Sequence, residues 1–518
     1  MRTALGLVAG CLCQAAVSGQ SPTGEGRIVF NEVPLGSVPA AAKLGELQVS
    51  LDNRHLAYAI QREGKWSISL DGVERGPYDE VGDIKFSPDS QHLACVVKRD
   101  GKSHLVLDGQ PGKAYEAIGQ GCVGFSPDSR RLAYVVWSGG KWRMVLDGQE
   151  GNGYERIGKG SPSFSPDGQH LAYPAMRQKD CFMVVDGKEG LVSDGPGPFS
   201  FSADSQHTGY VVPRGESWLV VLDGKEKAFG RVLTNGVIFS PDGKRAMYAA
   251  GSAPAGKLRV IVDGKESVEY DLIGTGCQAF SPDSKHVAFG GRRGGEWRLE
   301  RDGQESQAYD GIMAGSLFFS PDSQHLAYAA QRGSHWLMVV DGKPGQEYDG
   351  IGAGTLAFSP DSQRHGFLAG RGGKFVAVIN GQEERPYTGL GGPGLLFSAN
   401  SQHAAFVARA GTNWLAVVDG KEGKEYEGIM ARSFSFSPDS RHLAYMASRA
   451  GKYLFVVGDQ ESKSYDRVLF NAAGVAGLKS LQIIVAKTGN SGNQEFVRLE
   501  AEENSEGGKP KGNPQAEN

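Results

Sequence analysis

Three sets of side chains recur along this 518-residue chain in types that could do chemistry. Eight histidines (His55, His92, His170, His207, His286, His325, His403 and His442) fall at one repeated position. A ring of imidazoles suggests metal binding or a pH switch. Against that, Arg131, Arg245 and Arg364 substitute at the same position, and copies in separate repeats are too dispersed for one ion. Structural hydrogen bonding near a turn is the expected role. Six tryptophans (Trp66, Trp142, Trp218, Trp297, Trp336 and Trp414) share a second position, with Phe182 and Tyr453 assigned to the same slot. Such rings can stack on sugars or peptides. Their regular recurrence points instead to packing between repeats, and the repeated tyrosines Tyr115, Tyr154, Tyr270, Tyr309, Tyr348, Tyr426 and Tyr465 read the same way.

The acids and cysteines point to no metal or cofactor. Each Ser-Pro-Asp or Asp-Gly turn offers one or two carboxylates, fewer than a calcium loop supplies at alternate positions. Cys95, Cys122, Cys181 and Cys277 are scattered without a Cys-x-x-Cys pair, so small core residues are expected and at most one disulfide. No Gly-x-Ser-x-Gly elbow, phosphate-binding glycine-lysine loop or His-Glu-x-x-His motif occurs. A net charge of −4 over this length gives no basic excess of the kind nucleic acid selects.

What positions these residues is a repeat. Phe86-Ser87-Pro88-Asp89-Ser90-Gln91-His92-Leu93-Ala94 returns in eleven copies, marked by Asp52, Asp89, Asp128, Asp167, Asp204, Asp242, Asp283, Asp322, Asp361, Asn400 and Asp439 at a spacing near 39 residues. Each unit reads as four short strands: an apolar run into the Ser-Pro-Asp turn, then His325 to Ala330, then Trp336 to Val340, an Asp341-Gly342 turn, and Glu347 to Ile351. The 75 glycines fit many tight turns. Four strands in about 40 residues make one propeller blade, and no unit has room for a helical period. The expected fold is an all-β propeller of about twelve four-stranded blades spanning residues 27–500. After the eleventh marker the C-terminal strands lack a fourth partner, and Arg27 to Asn31 is expected to pair with the last of them and close the ring. Rings usually have four to eight blades, which favours two six-bladed rings over one large ring.

The Ser-Pro-Asp-(Ser/Gly)-x-x-Leu-Ala-Tyr unit resembles the TolB-type propeller repeat, a WD-repeat-like family common in bacterial envelope proteins. The resemblance covers about residues 45 to 470 and implies a binding scaffold; that repeat is also found attached to peptidases, and no appended catalytic domain is seen here. Residues 1–19 read as a targeting segment, cleaved after Ala16-Val17-Ser18 or lipidated at Cys11 in a lipobox-like Leu7 to Cys11, followed by a linker at 20–26. Either route implies a periplasmic or secreted protein, and no other stretch is long and apolar enough to span a bilayer. Residues 501–518 read as a disordered tail.

One pattern escapes a purely structural reading. The loops between second and third strands are basic: Arg99, Lys102, Lys141, Arg177, Lys179, Arg214, Arg292, Arg293, Arg332, Arg371, Arg409 and Arg449, with few acids beside them in sequence. In a propeller these loops share one face, which would carry positive charge. The expectation is a non-catalytic scaffold binding a protein, peptide or anionic glycan there. The competing expectations are a polysaccharide- or peptide-acting hydrolase or lyase, and a structural surface-layer component. Departures from the repeat at Arg177 to Cys181, Leu191 to Pro198 and Ser252 to Gly256 are further candidates.

Overall fold

Two turns set the geometry of each repeat. In the computed structural model, which describes residues 27–158, 162–233, 236–252, 256–469, 481–489 and 491–504, Asp341 and Gly342 both have positive φ, 50° and 74°. Consecutive left-handed residues make the type I′ hairpin whose twist matches that of the strands it joins. The Ser-Pro-Asp turn is closed by its own side chains. Ser320 Oγ donates to Asp322 Oδ1 and accepts from the His325 amide at 2.9 Å, and Asp322 Oδ1 accepts from the Gln324 amide at 3.0 Å.

These turns fold each repeat into a four-stranded antiparallel meander. Blade 1 comprises Lys43–Val49, Leu56–Arg62, Lys65–Leu70 and Val73–Tyr78. Blades 2 to 11 follow in chain order, beginning at Glu80, Ala117, Arg156, Phe199, Arg231, Leu272, Gly311, Gly350, Gly389 and Gly428. In blades 3, 4, 6, 8, 9 and 11 the first strand is two short pieces that both pair with the second strand. Blade 12 takes Arg467–Leu469, Leu481–Thr488 and Gln494–Asn504 from one end of the chain and Arg27–Val38 from the other.

The Leu-Ala-Tyr strand explains how blades stack. Its side chains alternate between two faces. In blade 8, Leu326, Tyr328 and Ala330 pack on blade 7, while Ala327 and Ala329 pack on blade 9. Each blade therefore presents a large-residue face and a small-residue face, and association is head-to-tail. Twelve buried clusters result, each joining successive blades, and the last joins blade 12 to blade 1 through Leu469, Ile484 and Phe496 against Val49, Leu56 and Tyr58. Two six-bladed rings would need clusters joining blade 6 to blade 1 and blade 12 to blade 7. Among the described residues blade 6 instead packs on blade 7 through Tyr270, Ile273 and Phe289. The protein is a single twelve-bladed propeller, and the expectation of two rings is corrected. The ring-size prior failed because identical seams extend for as many repeats as the chain supplies.

A polar clasp repeats across the seams. The Asp amide of one Ser-Pro-Asp turn donates to the hydroxyl of the next turn's second Ser, as from Asp283 to Ser323 at 2.9 Å and from Asp322 to Ser362 at 3.0 Å. That Ser is left-handed, with φ 67° at Ser323, a conformation that favours glycine. Blades 4 and 6 do use glycine there, Gly168 and Gly243, and have no hydroxyl to offer.

The closing strand lies where expected. Arg27–Val38 runs antiparallel to the final strand, pairing Arg27 with Asn504 and Val38 with Gln494. That final strand continues to Asn504, beyond the expected boundary at 500. The targeting segment, Cys11 and the linker lie outside the described residues, as do the tail beyond 504 and residues 253–255 of the blade 6 loop.

Two outcomes follow. Deleting residues 27–32 sharply lowers the unfolding temperature, whereas an unchanged melt contradicts the closure. Ser323→Ala destabilises by about 1–3 kcal/mol in denaturant titration, because it orphans the Asp283 amide and keeps an unfavourable φ. Ser323→Gly, which relaxes that backbone, costs less.

Candidate functional site

The hairpins between second and third strands gather at one end of the ring, beside the connectors that lead from each blade to the next. Side chains tie the two sets together. The connector Asp79 accepts from the hairpin amide of Asp100 at 2.9 Å. Asp194, Asp271, Asp310 and Asp349 make the same contact to Gly215, Gly294, Gly333 and Gly372. These acids are distant in sequence from the basic hairpins they cap, and they make the face mixed in charge.

Half of the twelve basic candidates are also committed within the sheets. Arg177 pairs with Glu189 at 2.6 Å, Arg214 with Glu226 at 3.2 Å, Arg293 with Glu305 at 2.7 Å, Arg332 with Glu347 at 3.2 Å and Arg449 with Glu461 at 2.8 Å; Arg371 pairs with Glu383. The glutamate often binds a tyrosine of the preceding blade as well. Tyr426 donates to Glu461 at 2.9 Å, and Arg449 stands 5.0 Å from the centre of that tyrosine ring. Tyr154, Glu189 and Arg177 repeat the arrangement. At the closing seam it is built from both chain ends, with Tyr465 and Lys487 each 2.7 Å from Glu32. Arg99 lies over Tyr78 and Arg409 over Trp414. Lys102, Lys141, Lys179 and Arg292 are exposed and make no ion pair with a described residue. Three of these four, Lys102, Lys141 and Lys179, stand on the successive hairpins of blades 2, 3 and 4.

The histidine position is structural. Nδ1 of His92, His170, His325 and His403 lies 2.7–2.8 Å from the Asp of the following Asp-Gly turn. Arg131 and Arg245 make the same link to Asp147 and Asp263. The pairing changes with the turn residue: opposite Asn380, Arg364 reaches instead to the Ser401 and Gln402 carbonyls of the next blade. The tryptophans are half-buried between successive blades, Trp66 for example against the blade 1–2 cluster. In blade 4, however, Cys181 and not Phe182 fills that slot, pairing with Ser193 as Trp297 pairs with Tyr309. Phe182 is one residue out of register and buried in the blade 3–4 cluster. All four cysteines of the repeats are free thiols, and burial pushes Cys95 up to about 12. Among the described residues no group of three or more His, Cys, Asp or Glu is placed to hold a metal ion, and no helix is long and apolar enough to cross a membrane.

Of the three flagged departures, the loop Ser252 to Gly256 contributes Ser252 to a charged cavity of about 500 Å³ between blades 5 and 6, beside Lys257. A stronger departure went unread in the sequence. The third strand of blade 7 carries Glu300 and Arg301 where blade 8 has Val339 and Val340. Glu300 lies 2.6 Å from the Tyr270 hydroxyl, which also meets Glu305 at 3.1 Å, and burial raises its pKa. Two charged residues in place of two apolar ones, read against the other repeats, was the signal available.

No family model matches the chain, and no curated protein matches it in sequence. Solved structures do match. A eukaryotic initiation factor is 12% identical with a TM-score of 0.32, covering 65% of this chain and 96% of that one. TolB from Acinetobacter baumannii is 14% identical with a TM-score of 0.24, covering 57% and 81%. The Swd1 β-propeller domain from Myceliophteria thermophila is 11% identical with a TM-score of 0.22, covering 49% and 95%. The likeness is one of propeller fold and nothing finer.

The ion pairs give a pH prediction. Arg449 beside Glu461 holds its carboxyl down at about 2, well below its usual 4.5. A carboxylate depressed in the folded state stabilises above its unfolded pKa and loses that contribution as pH falls through the folded value. The melting-temperature advantage of the native chain over Glu461→Gln is therefore full at pH 7 and shrinks between about pH 4.5 and 2.

Proposed function

We propose that this protein is a non-catalytic scaffold of the bacterial envelope or exterior, related to TolB-type repeat proteins, whose hairpin face binds an acidic partner. The partner class is an acidic protein or peptide segment, or an anionic glycan. The observation that carries the reading is the arc of Lys102, Lys141 and Lys179 on blades 2 to 4. Exposed ammonium groups without carboxylate partners keep their charge available, whereas paired arginines add little net field. Trp137 and Trp142, a cross-strand pair with ring centroids 5.4 Å apart, lie one step inward of Lys141 in the same hairpin and are part-exposed, offering some apolar contact area. The arginines paired with glutamates, such as Arg293 and Arg371, hold seams together.

The reading separates two kinds of charge reversal. Combining Lys102→Glu, Lys141→Glu and Lys179→Glu weakens binding to immobilised heparin or poly-glutamate at least tenfold and leaves the melt within a few degrees. Arg293→Glu with Arg371→Glu lowers the melting temperature instead. Full retention of binding by the triple variant contradicts the proposal.

A further inference from the structure

The seal that closes seams at the hairpin end is incomplete between blades 5 and 6. Elsewhere it has three members: an arginine at the end of the second strand, a glutamate of the same blade and a tyrosine of the blade before. Arg177, Arg293, Arg371 and Arg449 pair with Glu189, Glu305, Glu383 and Glu461. They also stand 4.6–5.8 Å from the ring centres of Tyr154, Tyr270, Tyr348 and Tyr426. Blade 6 keeps the glutamate as Glu266 but has Ser252 in the arginine position, and blade 5 has Phe229 in the tyrosine position. The cavity of about 500 Å³ opens at this place and all three residues line it. Its volume falls in the range typical of small-molecule sites.

The chain does not make good the gap from within. Ser138 and Ala410 also replace the arginine, in blades 3 and 10, with Tyr115 and Tyr387 still in place. There the preceding blade supplies a cation: Lys113 lies 2.6 Å from Glu150, and Arg385 2.9 Å from Glu422. The equivalent Lys227 stays 3.4 Å from Glu266. Lys424 lies at that same 3.4 Å from Glu461, in a seam where Arg449 pairs with the glutamate as well. Seam 5/6 therefore has the spacing of an arginine-bearing seam without its arginine. Arg259, on the third strand, meets Glu266 at 2.6 Å and Glu269 at 3.0 Å. A glutamate at this position can serve two guanidinium groups: in blade 7, Glu305 pairs with Arg293 at 2.7 Å and has Arg298, the match of Arg259, at 4.0 Å.

The open groups define what fits. Glu216, Glu266 and Glu269 are exposed, and Phe229 is part-exposed. These three carboxylates in the lining face two cations, Lys257 and Arg259, which leaves an excess of negative charge beside an aromatic ring. A guanidinium answers both features, since its planar N–H fork pairs with carboxylates and its face stacks on rings.

We propose that the cavity between blades 5 and 6 binds an alkylguanidinium group, the arginine side chain of a partner polypeptide, which completes the seal that Ser252 leaves open. The site does not rest on the lysine arc of blades 2 to 4, and it selects the opposite charge. Saturation-transfer NMR titration of the full chain tests it. The probes are N-acetyl-arginine amide, its neutral isostere N-acetyl-citrulline amide, a capped Gly-Arg-Gly tripeptide and free arginine. The arginine amide gives saturable transfer and the citrulline amide gives none. Affinity falls at least fivefold in Ser252→Arg, which fills the cavity with the residue that other blades carry, and in Glu266→Gln. Ser252→Arg keeps or raises the melting temperature, which separates loss of the site from loss of the fold. Charge reversal at Lys102, Lys141 and Lys179 leaves the arginine signal unchanged. The tripeptide binds more tightly than free arginine; the reverse order overturns the polypeptide source. Transfer from no guanidinium probe, equal transfer from citrulline, or binding that survives Ser252→Arg overturns the site itself.

Discussion

A blade of this protein cannot stand alone, because both faces of its sheet are apolar and the two faces differ. The face carrying Leu326 and Tyr328 packs on Cys277, Ala288 and Leu299 of blade 7, and the face carrying Ala327 and Ala329 packs on Leu356 and Phe367 of blade 9. A stack with such rules leaves one uncovered face at each end until it closes on itself. Closure therefore governs the architecture, and the chain meets it by splitting blade 12 between its two ends. Glu32 reproduces across that joint the tyrosine–glutamate–cation contact used at other seams.

The same constraint decides which charges remain free. Seams are sealed at the hairpin end by arginine–glutamate–tyrosine groups and at the other end by serine clasps, while the histidine–aspartate pairs brace the turns within each blade. A basic residue that falls on this pattern serves the seam. Charge left outside the seams stands where a blade leaves the pattern, as with the exposed Lys102, Lys141 and Lys179 on blades 2 to 4.

Much of this was legible in the sequence. The period, the Asp-Gly and Ser-Pro-Asp turns and the closing role of Arg27 to Asn31 follow from local residue chemistry, which the structure keeps. Ring size was not legible, since every seam reads alike and nothing local says which blade meets which. The basic face was overread for a related reason. Asp79, Asp194 and Asp271 belong to connectors some twenty residues before the hairpins they cap, and the fold alone brings them together. Phe182 was placed in the wrong slot because blade 4 has a cysteine where its neighbours have tryptophan. Glu300 and Arg301 were visible as letters, but their meaning depends on knowing that those positions face neighbouring blades.

Electron-microscopic class averages viewed along the ring axis count the blades. A single closed ring gives one disc with twelve radial blades around one central opening. Two smaller six-bladed discs joined side by side would contradict it.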